Sequence, residues 1–333
     1  MDVLASEYSP LSYERFLFGA IIASLGIFVY RRYIEGGQFK RDHVKMDGKV
    51  VIITGANTGI GKETAMDLAR RNAKIYLACR DFDRCEVARK EIMEKTGNQQ
   101  IFNRLLDLSN QKSVRDFVVK FSKDEKKLDV LINNAGVFYL PHSLTVDGIE
   151  SHFGINHVSH FLLTHLLLDH LKKSEQGRIV NVSSLAYESA KIDKNDLHLQ
   201  KSYDKMKAYG NSKLAQILTT QRLARELEGT NITVYSLHPG VIQTDIQRNL
   251  PWFFKSVVFT ITGFLFCKSI KSGAQTTIRC AVDPDLATVS GKYFSDCEVV
   301  KKLKSQAKDD DVSEFIWEES QRLAKIPADF SYK

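Results

Sequence analysis

The run K49-V-V-I-I-T54-G55-A56-N57-T58-G59-I60-G61-K62 changes character twice. Residues 49–54 form a continuous β-branched apolar stretch, the pattern of a strand buried on both faces. Glycines at 55, 59 and 61 then interrupt it, and a helical pattern takes over near 60–71. Glycine lets a chain turn tightly and lets a pyrophosphate approach backbone N–H groups at a helix N-terminus. The spacing is GxxxGxG, not the GxGxxG of the general dinucleotide fingerprint. Three glycines alone are weak evidence, because a purely structural turn also accounts for such a pattern; a strand before them and a helix after them favour phosphate binding. Gly55, Asn57, Thr58, Gly59, Ile60 and Gly61 are the candidate cradle.

Toward the C-terminus the alternation repeats. Strand patterns at 74–79, 101–108, 128–134, 178–184 and 232–238, with a weaker one at 291–295, are separated by helical patterns near 82–96, 110–124, 147–173 and 205–228. Strands separated by helices of this length imply right-handed βαβ units. The expected architecture is one doubly wound, Rossmann-type parallel sheet with helices on both faces, spanning residues 46–333. The second strand ends at Cys79-Arg80-Asp81, beside the position of an adenosine ribose. An acidic side chain there would accept a 2′-hydroxyl, and an arginine would hold a 2′-phosphate. Arg80, with Lys62 nearby, favours NADP(H); Asp81 is either a competing ribose ligand or the cap of the next helix. Asp107, closing the third strand, either receives the adenine amino group or caps the following helix.

Toward the N-terminus, Phe16 to Tyr30 carries no charge and is followed by Arg31-Arg32. Fifteen residues span roughly 22 Å, less than the roughly 30 Å of a hydrocarbon core, so flanking residues would have to extend the span. Asp2, Glu7 and Glu14 precede it, which disfavours a signal peptide. Residues 1–45 thus read as a membrane anchor with a basic linker, and the positive flank puts everything after residue 31 on the cytosolic side. The 333-residue chain has a formal charge of +7 and a pI near 9.0, which suits an anionic partner. No zinc-finger spacing or aromatic-interleaved basic motif accompanies that charge, so nucleic acid is not expected. Five cysteines without a CxxC pair argue against a disulfide framework.

Carbonyl chemistry needs a proton donor, a means of lowering its pKa, and a second hydrogen bond to the oxygen. Tyr209 and Lys213, one helical turn apart, could be donor and tuner, and Ser184 at a strand end could polarise the carbonyl. The pair alone could equally be a surface contact. His157, His160, His165 and His170 suggest a metal by spacing, but no carboxylate or cysteine completes a set, and surface or interface roles are favoured. The apolar run P251–F266, interrupted by Lys255, is too short to span a bilayer. It reads as a substrate lid touching the membrane or as a buried helix over the sheet, and the lid form would suit a lipophilic carbonyl.

In order, TGANTGIG (54–61), NNAG (133–136), Asn156, NVSS (181–184), YGNSK (209–213) and HPGVIQT (238–244) resemble the short-chain dehydrogenase/reductase family over about residues 48–300. The resemblance implies a catalytic tetrad of Asn156, Ser184, Tyr209 and Lys213. In it Asn156 kinks its helix and holds a water that relays protons to Lys213. Ser184 and Tyr209 would contact the substrate, and Tyr209 and Lys213 the cofactor as well. Asn134 and Gly136 would support the cofactor ribose, and Gly240, Ile242 and Thr244 its carboxamide. The anchor together with GIGKETA, LACRD, NHVSHFLLT and SGKYFSDC is similar to the membrane-bound retinol dehydrogenases. This implies NADPH-dependent reduction of retinal in the endoplasmic reticulum, with a mitochondrial membrane or lipid droplet as the other locations. Other lipophilic aldehydes, steroid ketones or a non-catalytic dinucleotide-binding scaffold are the alternatives. The resemblance allows a homodimer through helices 147–173 and 205–228, and an anchored monomer is the alternative.

Overall fold

The computed structural model describes residues 10–243, 246, 249, 263 and 265–332, and side-chain surroundings from Leu17 onward. Thr244 and most of the 251–266 run lie outside these residues. Eight strands form one sheet in the order β3-β2-β1-β4-β5-β6-β7-β8. They are β1 Val50–Thr54, β2 Lys74–Cys79, β3 Ile101–Leu105, β4 Val130–Asn133, β5 Gly177–Val182, β6 Ile232–His238, β7 Lys292–Ser295 and β8 Glu298–Val299. All pair in parallel except β7 with β8. The order reverses between β1 and β4, and this switch point opens a crevice at the carboxyl ends of the strands.

Helices α2 Gly59–Arg70, α3 Phe82–Thr96 and Ile270–Val282 (below, α7) pack on one face of the sheet. Helices α4 Gln111–Asp124, α5 Ser159–Lys172 and α6 Lys205–Glu226 cover the other. Central strands are apolar and wholly buried, as β1 (VVIIT) and β6 (ITVYSLH) are, because helices shield both faces. The fold expectation thus holds, with α7 and α8 (Asp310–Ala324) added to the helices read from the sequence. Helix α8 lies across α5 and α6. Trp317 meets Phe161 edge-on at 5.2 Å, and Arg222 pairs with Glu314 at 2.6 Å. The chain's own C-terminal helix thus packs against the two helices through which the resemblance allowed a homodimer.

Helix α1 runs Pro10–Glu35, about 39 Å at 1.5 Å per residue, longer than the uncharged core suggests. Residues 17–30 are exposed along it. Its last turn is clasped to the domain. Arg31 donates to the Cys267 carbonyl at 3.0 Å, and Glu35 accepts from the Ser269 hydroxyl at 2.8 Å. Gln38 and Phe39 continue the contact by bonding Ser272 and Gln275 of α7.

The cysteine expectation needs a correction: Cys79 and Cys85 form a disulfide, while Cys267, Cys280 and Cys297 are free and buried. The β2–α3 turn brings the two Cα atoms to 6.1 Å, a separation that spacing in the sequence alone does not reveal.

Candidate active site

A cavity of about 630 Å³ follows the crevice from Arg80 to Ile246. Its floor is the β1–α2 turn, where glycine is required twice. Gly55 has φ +64°, and a Cβ on Gly61 would come within 2.4 Å of Asn134 Nδ2 and 2.6 Å of the Gly55 carbonyl. That close approach brings the start of α2 against the cavity with no side chain at positions 55, 59 and 61, a cradle suited to a pyrophosphate. Thr54 ties the turn to β4, its hydroxyl accepting from the backbone N–H of Asn134 and Ala135 at 2.9 Å each. Gly55, Asn57, Thr58, Gly59, Ile60, Gly61, Asn134 and Gly136 all line the cavity. The residues fit the dinucleotide that the sequence implied.

At the adenosine end Arg80, Asp81 and Arg84 line the cavity and are exposed. Asp81 caps α3, accepting from Arg84 N–H at 3.0 Å. Lys62 departs from expectation: it pairs with Glu91 of α3 and does not line the cavity. Arg84, three residues past the cap, lies on the cavity instead, and the Asp81 capping pattern was the signal that could have placed it. Asp107 lines the cavity while its carboxylate accepts from the Ser109 N–H and hydroxyl at 2.9 and 2.8 Å; the helix cap is Asn110.

At the other end Ser184, Tyr209 and Lys213 meet on one wall. Tyr209 and Lys213 lie one turn apart on α6, and Lys213 Nζ is 5.7 Å from the Tyr209 ring centroid. Burial pushes the Tyr209 phenol up to about 12, opposed by a hydrogen bond with Ser184. Burial also pushes the Lys213 ammonium down to about 7. The two hydroxyls of NVSS divide their tasks: Ser183 is buried and donates to the Lys213 carbonyl at 2.8 Å, whereas Ser184 is half-buried at the cavity. Phe138 stacks edge-on against Tyr209 at 4.8 Å between centroids, a contact the sequence did not announce.

Asn156 sits in a π-helical turn, Phe153–Val158, ahead of α5. Its side chain is fully committed, accepting from Val137 N–H at 2.8 Å and donating to the Val137 carbonyl at 3.1 Å and to Ser212 at 3.0 Å. Gly240, with φ +97°, and Ile242 lie after β6 on the cavity, and Lys268 N–H donates to the adjacent Val241 carbonyl at 2.8 Å.

The histidines are not surface groups. His157, His160 and His165 are buried and bonded to Ser320, Thr54 and Tyr332 respectively. Burial pushes them down to about 3, 4 and 4. Among the described residues no group of three His, Cys, Asp or Glu side chains is placed to hold a metal.

Sheet, switch-point crevice and glycine cradle define the class: an α/β protein built to hold a dinucleotide. The short chain dehydrogenase family model matches residues 49–252, and the chain belongs to that family. It is accordingly an oxidoreductase acting on CH–OH groups with a nicotinamide dinucleotide. Mouse retinol dehydrogenase 12 is 48% identical over 301 residues, covering 89% of this chain and 92% of the relative. Human retinol dehydrogenase 11 is 49% identical over 286 residues, covering 86% and 89%. Among solved structures, an uncharacterized protein from Mycobacterium Paratuberculosis superposes with a TM-score of 0.69 at 30% identity, covering 89% of this chain and 99% of that one.

Proposed function

We propose that the protein reduces a lipophilic aldehyde of the retinoid class with NADPH, and reversibly oxidises the alcohol. The carrying observation is the meeting of Ser184, Tyr209 and Lys213 on a cavity whose far end presents Arg80 and Arg84. The names of the relatives supply the substrate class. Two exposed arginines suit a 2′-phosphate, and the Asp81 carboxylate, turned to its cap, is drawn away from a ribose hydroxyl.

The nicotinamide supplies the hydride when bound. Tyr209 Oη gives its proton to the oxygen that becomes the alcohol, and Ser184 Oγ holds that oxygen by a hydrogen bond. A phenol held above its usual pKa stays protonated at neutral pH, which is the form a reductase needs. Lys213, when charged, stabilises the phenolate left behind and holds the cofactor ribose with an N–H. Asn134 and Gly136 support that ribose, and Gly240, Ile242 and Thr244 the carboxamide; Thr244 lies outside the described residues. Helix α1 anchors the chain in a membrane, of the endoplasmic reticulum in this reading, with the catalytic domain in the cytosol.

A panel following NADPH consumption with retinal, medium-chain aldehydes and steroid ketones tests the assignment. Retinal should give the highest kcat/KM, and turnover confined to steroid ketones would overturn the substrate class.

A further inference from the structure

Lys213 rests on a second polar layer that extends away from the cavity. Its Nζ donates to the Val182 carbonyl at 2.8 Å and to Gln216 Oε1 at 3.1 Å. Gln216 Nε2 in turn donates to the Asn156 main-chain carbonyl at 2.7 Å. The same carbonyl lies 2.9 Å from His160 Nδ1. A carbonyl can only accept, so Nδ1 carries the imidazole proton and Nε2 accepts from the Thr54 hydroxyl 2.9 Å away. Both lone pairs of the Asn156 carbonyl are thus engaged by side chains, and Gln216, His160, Asn156 and Lys213 are all buried.

Resemblance to the family implied that Asn156 holds a relay water serving Lys213. A water donates and accepts at one oxygen, so it can pass a proton on. A primary amide accepts at oxygen and donates at nitrogen, so passing a proton through it requires the imidic acid form. We propose that Gln216 takes the place of that water, tying Lys213 to the Asn156 carbonyl and closing this route, so that protons consumed in turnover enter from the cavity side. Gln216 is then a positioning residue: it fixes the ammonium and leaves one N–H for a ligand. A small void beside His157, His160 and Gln216 does not change this, because Lys213 does not line it. The inference rests on the proposed hydride transfer only for its catalytic consequence.

The titratable groups facing Lys213 are Tyr209 on its own helix and His157 and His160 from the kinked helix, both of which feel its charge. From β5 and the β4 turn it meets the Val182 carbonyl and, near Gly136, backbone. Both histidines stay neutral well below the range in which Lys213 titrates, so a change in that range reports the lysine.

The test uses the full chain in detergent micelles, with lysines labelled at the ε position and Lys213 titrated by NMR. Gln216→Leu removes an acceptor from the ammonium and should lower the Lys213 pKa by about one unit or more, while Gln216→Glu should raise it by about as much. The basic limb of the kcat profile should move the same way. Gln216→Ala makes room for water, and solvent exchange of the Lys213 ammonium protons should quicken about tenfold. An unmoved titration in both substitutions, or wild-type exchange already as fast as in Gln216→Ala, overturns the proposal. If Gln216→Leu does not fold, Gln216→Glu decides alone, since its carboxylate compensates the buried ammonium. Loss of the functional reading looks different: wild-type turnover would be absent with every carbonyl while the titration shifts persisted.

Discussion

At the adenosine end of the cavity Arg80, Asp81 and Arg84 stand exposed on the β2–α3 turn, whereas at the other end Asn156, Tyr209, Lys213 and Gln216 are buried and bonded within the protein. Charges at the first end interact through water and ions, so their contributions are screened and separable. The second works in a low-dielectric interior, where each polar group is costly unless paired and the loss of one disturbs its neighbours. In the proposed function, choice of cofactor and catalysis therefore draw on different physics within one crevice.

The largest blow to this contrast would come from Tyr209→Phe. Removing the proton donor should lower kcat by about 10²- to 10⁴-fold, with cofactor affinity measured by fluorescence titration nearly unchanged. Retained turnover would mean that the buried end does not perform the proton transfer.

Acid should expose the buried end next. His157, His160 and His165 have folded-state pKa values depressed below the usual 6.5, to about 3, 4 and 4. Below pH 6.5 the unfolded chain binds protons that the folded chain refuses. The stability they contribute is full above about pH 6.5 and is lost progressively toward pH 4, each histidine costing up to about 1.4 kcal/mol per pH unit. Urea melts across that window should show the decline, and a flat profile would show that these rings are open to water.

Arg80→Ala should be the mildest. At an exposed site the loss of one charge-assisted bond should weaken NADPH by about tenfold and NADH by less than about twofold, with the NADPH effect shrinking as salt rises. Equal weakening of both cofactors would place discrimination elsewhere, with Arg84 the first residue to examine.

Legibility in the sequence followed the same division. Strands β2 and β6 and helix α3 lie at the boundaries their residues suggest, because local apolar runs and an Asp–Gly pair of caps determine them. The glycine turn was readable too, since its backbone demands are local. Lys62 was misplaced because α2 and α3 are neighbours only in space, where Glu91 captures it. Gln216 was not singled out, and the three histidines read as surface or interface groups. Only packing of α5 and α6 against the sheet and under α8 buries them, and no period in the sequence expresses that. The Val312, Ile316 and Ser320 face of α8 carried a helical spacing that was available to be read.

The clasp at the foot of α1 reaches the cavity in two steps. Arg31 and Glu35 hold Cys267 and Ser269, and Lys268 between them holds Val241 on the cavity wall. A slack tether would let the catalytic domain tumble above its anchor; a tether gripped at its last turn holds it at a set height and heading. With α1 seated in a bilayer, the search for a lipid-dissolved substrate becomes a problem in two dimensions. The concentration that governs its rate is then molecules per area of membrane, not per volume of solution.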